Sequence, residues 1–179
     1  AHPVGPIVQL CAPFYAIEDG RKALRAWRDF TATAGDEINS LAVVWSVPDV
    51  EDFPPELRRR PVVILSTVYA GPPEEGARVM QPLREIATPL LDLSGPLPFT
   101  AIQSAFDPFF PKGNLYYWKS TYVHDLSDAC IDAILDGAAS RPSHMPDIPI
   151  WHLGGAMSRV APAAGRLAER EAGVSRDWV

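Results

Sequence analysis

The sequence predicts an α+β domain, in which helices pack on one face of a mainly antiparallel sheet. Apolar residues make up 47% and charged residues 21% of the 179 residues, a balance typical of a globular core. Segments 38–47 and 61–69 are rich in β-branched and aromatic residues and are joined by a loop alone, which favours an antiparallel pair. Helical patterns separate the other strand-like segments, so one layered domain is expected.

The strand-like segments should lie at different depths in this sheet. Residues 4–15 are apolar but contain Pro6 and Pro13, which indicates an edge or bulged strand. The run 41–45 is almost entirely apolar, so the strand that contains it should be buried on both faces. The tryptophans expected in the core are Trp27 and Trp45.

Three longer helices are predicted from apolar residues at helical spacing. The first covers residues 18–34. The second begins at Pro73 and should kink or break at Pro82, because proline removes a backbone donor. The third covers residues 128–140, and Ser127 is its expected N-cap.

Composition and motifs argue against several classes of function. There are 16 Lys and Arg against 22 Asp and Glu, and the net charge of −6 argues against nucleic-acid binding. No apolar run approaches the roughly 18–20 residues of a membrane span, and two cysteines are too few for a disulfide framework. A cytoplasmic protein is therefore expected. Phosphate-loop and nucleophile-elbow motifs are absent, and the four histidines lack metal-ligand spacing, so no metal site is predicted.

The most informative segment is 115–123, LYYWKSTYV, whose aromatic and β-branched residues predict a strand. Side chains alternate across a strand, so Tyr117 and Lys119 should share one face while Trp118 and Tyr122 share the other. A lysine among large rings is costly to bury unless an anionic or electron-rich group meets it. Lys119 is therefore the first candidate functional residue.

Three stretches that follow one another in the chain carry a family resemblance: FTAIQSAFD at 99–107, YYWKSTYV at 116–123 and WHLGGAMSRV at 151–160. With the opening HPVGPIV, they resemble the substrate domain of FAD-linked oxidases of the berberine bridge enzyme and 6-hydroxynicotine oxidase type. The resemblance covers nearly all of the chain. It implies a two-domain flavoenzyme, in which a PCMH-type domain outside this chain holds FAD, often covalently through His or through His and Cys.

The resemblance also implies a division of the chain and an activity. Residues 1–160 would form the substrate-binding domain, and 161–179 a C-terminal tail or the start of a truncated segment. The full-length protein would oxidise an alcohol, amine or sugar-like substrate, sending a hydride to flavin N5 and electrons to O2, and this piece alone would be inactive. The expected partners are a small-molecule substrate, the FAD-binding domain of the same parent protein and, as an open alternative, a second copy of the chain.

A site of this kind assigns a role to each candidate residue. Lys119 would stabilise negative charge near flavin N1 or grip a substrate oxygen, and Tyr117 would donate a hydrogen bond or accept a proton, so both are candidate catalytic residues. The candidate substrate-binding residues are Gln103, Tyr122, Trp151 and His152. The candidate cofactor-binding residues are Gly154 and Gly155, because glycines let a cofactor approach the backbone closely.

Structural roles are the alternative for each of these residues. Lys119 would pair with an acid such as Asp107 or extend to the sheet edge, and His152 would be a hydrogen-bonded structural histidine. The glycine pair would form a bulge, Gln103 would cap a loop, and the aromatic rings would pack in the core. The chain as a whole would then be a non-enzymatic ligand-binding or dimerisation module, with a second copy covering its sheet.

Overall fold

The computed structural model describes residues 4–155 and 158–159, together with the backbone of 174–178. Within these residues the chain forms one sheet, which nine strands share, and five α-helices. The strands are β1 (Ile7–Cys11), β2 (Pro13–Ala16), β3 (Ile38–Ser46), β4 (Pro61–Tyr69), β5 (Leu91–Asp92), β6 (Gly95–Pro98), β7 (Lys119–Val123), β8 (Ile148–His152) and β9 (Val174–Trp178). The helices are α1 (Gly20–Thr31), α2 (Pro73–Val79), α3 (Gln81–Arg84), α4 (Phe99–Ser104) and α5 (Asp128–Ala139).

All pairings between the described strands are antiparallel, which confirms the α+β prediction. The strand order is β5-β2-β4-β3-β8-β9-β7, and β1 lies between β4 and β6. The predicted pair formed by β3 and β4 is the longest in the sheet, running from Ile38 opposite Tyr69 to Ser46 opposite Pro61. The centre of the sheet is therefore built from the two segments whose sequence is most strand-like.

The first strand segment is neither at an edge nor bulged, so the prediction for residues 4–15 is wrong in this respect. Cys11 of β1 lies opposite Thr67, and Phe14 of β2 lies opposite Ile64. Both strands advance by three residues between these pairs, so β1 and β2 have the same register against β4. Between them the backbone N–H of Ala12 donates to Ser94 Oγ at 2.9 Å. A side-chain acceptor therefore bridges the interruption, and no extra residue is inserted.

The helices α1, α2, α3 and α5 pack on one face of the sheet and cover its main core. Trp27 of α1 is fully buried there, and its Nε1 donates to Ser40 Oγ at 2.7 Å. Ser40 Oγ in turn lies 2.7 Å from Thr67 Oγ1 of the neighbouring strand. The prediction that Trp27 belongs to the core is confirmed, and its polar atom is satisfied as burial requires.

Local sequence signals set the helix boundaries as predicted. The second predicted helix breaks at Met80, so that Gln81 and Pro82 begin the separate short helix α3. Ser127 caps α5, and its Oγ accepts a hydrogen bond from the backbone N–H of Cys130 at 3.3 Å.

The acids along α5 form ion pairs with arginines of α1 at the surface. Arg21 pairs with Asp132 and Asp136, and Arg25 and Arg28 pair with Asp128.

The opposite face of the sheet, called the open face below, carries no packed helix over β3, β8, β9 and β7 among the residues that the structure describes. A second cluster covers part of it, where Phe53 and Leu57 of the β3–β4 connection and Phe106 and Phe109 pack on the sheet. Trp45 belongs to this cluster and is 6% exposed, so its predicted burial is confirmed. The strand β3 is thus buried on both faces, as its apolar run predicts.

Strand β9 joins the sheet between β8 and β7, although the sequence analysis placed residues 161–179 outside the domain. Val174 lies opposite His152 on one side and Val123 on the other. Residues 174–178 are therefore part of the same sheet as the rest of the chain. The predicted boundary after residue 160 does not anticipate this strand, because the segment has little apolar alternation.

Ionisation of the Asp92 carboxylate should make the stability of this sheet depend on pH. Burial raises the pKa of Asp92, but hydrogen bonds from Ser94 and Arg84 outweigh it and lower the pKa below the ordinary 3.8. The folded-state pKa is depressed, so this stabilisation is present above about pH 4 and is lost as the pH falls through the lower folded value. We expect Asp92→Asn to lower the free energy of unfolding by about 1–2 kcal/mol near neutral pH.

Urea titrations at several pH values check this expectation. The difference between the wild type and Asp92→Asn should shrink as the pH is lowered towards about 3. The exposed Asp52→Asn is the matched control and should be neutral throughout. A pH-independent difference would show that the Asp92 charge contributes nothing.

Candidate functional site

The register of β7 and β8 decides which face of the sheet each candidate residue occupies. Val123 packs against the main core on the helix side, and Thr121 and Lys119 share its face because side chains alternate. Tyr122 therefore points to the open face. The observed strand covers Lys119–Val123, so residues 115–118 of the predicted strand lie outside it.

Lys119 and Tyr117, the two candidate catalytic residues, are both exposed to solvent. Lys119 is exposed on the helix side of the last strand in the sheet, and Tyr117, just before that strand, is 69% exposed. An exposed ammonium keeps its hydration, so nothing in its surroundings requires an anionic partner. The catalytic roles of both residues stay predictions.

We expect Lys119→Met to leave the stability of the chain unchanged. An exposed strand position that makes no buried contact changes the free energy of unfolding by less than about 0.5 kcal/mol. Chemical denaturation of the wild type and the variant measures this directly. A loss of more than about 2 kcal/mol would mean that the lysine belongs to a buried pair.

Trp151 and Tyr122 do lie on one surface. Trp151 of β8 lies opposite Leu41 of β3 on one side and opposite Ser175 of β9 on the other. Ser175 in turn lies opposite Tyr122 of β7, so these residues form one row across the sheet. Neighbouring strands lie about 4.8 Å apart, so the backbones of Trp151 and Tyr122 are about 10 Å apart, and both residues lie on the open face. Their exposed fractions are 39% for Trp151 and 38% for Tyr122, which leaves their rings available to a partner surface or a ligand.

His152 and the following glycines have structural explanations. Burial lowers the pKa of His152 below 6.5, so its imidazole is neutral at pH 7. A Cβ at Gly154 would meet the His152 ring at 2.4 Å, and Gly155 has a φ of +62° that favours glycine. The ring of His152 and the local turn thus account for the glycine pair, and its contact with a cofactor stays a prediction.

Gln103 lies on α4 with its side chain exposed, away from Trp151 and Tyr122 in the sheet order. The eight candidate residues therefore do not form one cluster. The sheet separates Lys119 and His152 from Trp151 and Tyr122, since the former pair occupies the helix side. The surviving candidate site is the open face around Trp151 and Tyr122.

Sequence reasoning missed the aromatic segment, residues 106–118, which packs on the open face. Phe109 meets Trp45 edge-on with centroids 5.5 Å apart, and Phe110 stacks on Trp45 at 6.4 Å. Phe110 also contacts Tyr116 and Trp118 at 6.0 and 6.2 Å. The density of aromatic residues in FDPFF and YYW is the sequence signal that could have located this segment.

Comparisons with solved structures show which known folds this chain resembles. No protein-family model matches the sequence, and no curated protein matches it. Among solved structures, BBE-like #28 from Arabidopsis thaliana is 13% identical with a TM-score of 0.73, over 96% of this chain and 36% of that one. BBE-like 1 from Physcomitrella patens is 16% identical with a TM-score of 0.73, over 99% and 39%.

The chain has the fold of one part of these BBE-like structures. Glucooligosaccharide oxidase from Acremonium strictum, a 6-S-cysteinyl, 8α-N1-histidyl FAD protein, shares it with a TM-score of 0.69 at 14% identity, over 96% of this chain and 38% of that one. The chain thus spans less than two fifths of the length of these structures. The fold that the resemblance implies is confirmed.

The described residues fit one part of an FAD molecule and not the other. Exposed rings at Trp151 and Tyr122, on a sheet face without helices, can lie against a flat tricyclic ring. The sequence has no glycine-rich phosphate loop, so the pyrophosphate and adenosine would need groups from elsewhere. None of the described helices has the length and apolar character that crossing a membrane requires.

Proposed function

We propose that this chain is the substrate-binding domain of an FAD-dependent oxidoreductase, and that its open face lies against the flavin. The observation that carries the proposal is the fold, which these oxidases share over 96–99% of this chain and 36–39% of their own. Two exposed aromatic side chains, Trp151 and Tyr122, stand on the face that the helices leave uncovered. A domain outside this chain would hold most of the cofactor.

In this arrangement the flavin, when bound, accepts a hydride from an alcohol, amine or sugar-like substrate. The side chains of the open face bind and orient that substrate. The ring of Trp151 offers a flat apolar contact, and the hydroxyl of Tyr122 can donate a hydrogen bond to a substrate oxygen. Leu41, beside Trp151, helps to exclude water from the contact.

The test uses the protein encoded by the complete reading frame that contains this chain. We expect it to purify with bound flavin and to show flavin reduction by members of a panel of alcohols, amines and sugars. Trp151→Ala should slow that reduction by about 100-fold, because a misplaced substrate loses the reactive geometry. Tyr117→Ala removes a ring that is 69% exposed and precedes strand β7; it is the matched control and should leave the rate of flavin reduction at the wild-type value.

Two results would contradict the proposal. One is a complete protein that binds no flavin. The other is a flavoprotein in which Trp151→Ala and Tyr117→Ala reduce equally fast while both remain folded by circular dichroism.

A further inference from the structure

A cleft of about 1190 Å³ lies at the end of the sheet where β3 leaves it. Its walls come from the residues 45–50, from the aromatic segment at 108–116 and from the loop 142–146. We call it the proline-aromatic cleft, because five prolines line it together with Trp45, Phe109, Phe110 and Tyr116. Its volume exceeds the roughly 300–1,000 Å³ that is typical of small-molecule sites, so a small ligand would fill only part of it.

The walls of this cleft are flat and held rigidly. The planes of Trp45 and Phe110 are 14° from parallel, with centroids 6.4 Å apart. Trp45 Nε1 donates to the carbonyl of Met145 at 3.3 Å, which joins the sheet to the loop 142–146. Tyr116 Oη donates to the carbonyl of Pro111 at 2.8 Å, so a hydrogen bond within the aromatic segment holds the Tyr116 ring in place. Flat, preformed walls favour a ligand that is itself flat, since little ordering is needed on binding.

The charges at the mouth of the cleft offset one another. Arg59 Nε lies 3.4 Å from Asp49 Oδ2, with both side chains more than half exposed. These are the two fully charged side chains of the lining, so a cation and an anion are present in equal number. Arg59 therefore does not make the cleft basic. A ligand with a net charge would gain little electrostatic stabilisation here. A neutral ligand would lose little hydration free energy on entering the cleft.

The cleft is distinct from the pair of rings proposed to face the flavin. Trp45 lies four residues along β3 from Leu41, the neighbour of Trp151, which is about 13 Å at 3.3 Å per residue. Neither Trp151 nor Tyr122 lines the cleft. A ligand in the cleft would therefore not occupy the surface around Trp151.

We propose that the proline-aromatic cleft is a second binding site, which takes a neutral, planar aromatic ligand. The proposal goes beyond the flavin-linked function and does not depend on it. Aromatic side chains prefer offset-stacked or edge-on contacts with other rings, and the rings of Phe109, Phe110 and Tyr116 line the cleft beside the largely buried Trp45. The polar groups at its mouth, among them Asn114 and Ser143, would hold a hydroxyl or carbonyl substituent.

The test measures binding of Nile red, a neutral planar dye, to the 179-residue chain by fluorescence titration. We expect saturable binding of one dye per chain. Tyr116→Ala removes one wall and Val50→Trp fills the mouth, and each should weaken binding by at least about tenfold. Two substitutions are matched controls: Tyr117→Ala, the neighbouring exposed ring outside the cleft, and Trp151→Ala on the open face. Both should bind within about twofold of the wild type.

Several outcomes would overturn the proposal. Binding that does not saturate, or that survives both cleft substitutions, would mean that the dye adheres elsewhere. Loss of binding in Trp151→Ala would place the dye on the surface around Trp151 instead. Tighter binding of the anionic dye 1-anilinonaphthalene-8-sulfonate by more than about tenfold, abolished by Arg59→Met, would contradict a site for neutral ligands. Because no readout involves flavin or turnover, failure here leaves the proposed function untouched.

Discussion

We expect Trp27→Ala to lower the free energy of unfolding by about 3–5 kcal/mol, a large part of the stability of a domain of this size. Trp27 is fully buried between α1 and the sheet, so truncation leaves a cavity that the surrounding strands can fill only in part. It also removes the Nε1 donor that lies 2.7 Å from Ser40 Oγ. Urea or thermal unfolding monitored by circular dichroism measures the loss.

A second variant separates packing from hydrogen bonding at this position. Trp27→Phe keeps most of the ring volume but removes the donor, and should cost about 1–3 kcal/mol. Ser40 keeps its contact with Thr67 in that variant, so its hydroxyl is not left alone. If Trp27→Ala cost no more than Trp27→Phe, the ring would contribute no packing energy and the account of the core would be wrong.

The second large effect should come from Trp45→Ala on the opposite face. Trp45 is the ring on which Phe106, Phe109 and Phe110 rest, and its truncation should cost about 3–5 kcal/mol if the loss reaches the whole domain. Part of that loss should appear locally, as opening of the aromatic segment. We therefore expect trypsin to cleave after Lys112 at least about tenfold faster than in the wild type.

Trp118→Ala is the matched control for this experiment. Trp118 is 52% exposed and contacts Phe110 at 6.2 Å, so its loss should leave the segment attached to Trp45. Cleavage after Lys112 should then stay close to the wild-type rate. Equal cleavage of the Trp45→Ala and Trp118→Ala variants would show that the segment is not held through Trp45.

The central part of the fold could be predicted from sequence because the local signals agree there. The apolar run 41–45 lies in a strand buried on both faces, and the pattern of 61–69 gives strand β4 with the predicted limits. Pro82 and Ser127 act through the backbone of their own helices, so their effects do not depend on the rest of the fold. Such local terms are visible in the sequence itself.

The candidate site was harder to predict, because it depends on which face of the sheet the helices choose. Alternation along 119–123 placed Lys119 and Tyr122 on opposite faces, as the structure shows, but it could not say which face would stay open. The contact of Val123 with the helix-side core decides this, and it is a tertiary contact. Lys119 therefore lies on the helix side of the sheet, and its catalytic role stays a prediction.

The position of β9 has a consequence for the order in which the chain can assemble. Strand β7 has β9 as its described partner, so the residues around Tyr122 can join the sheet only after a segment some fifty residues later in the chain has arrived. Closing so long a loop is entropically costly and slow compared with forming the β3–β4 hairpin. During synthesis on the ribosome, residues 119–123 therefore emerge long before the strand that pairs with them. They remain accessible to chaperones for that interval.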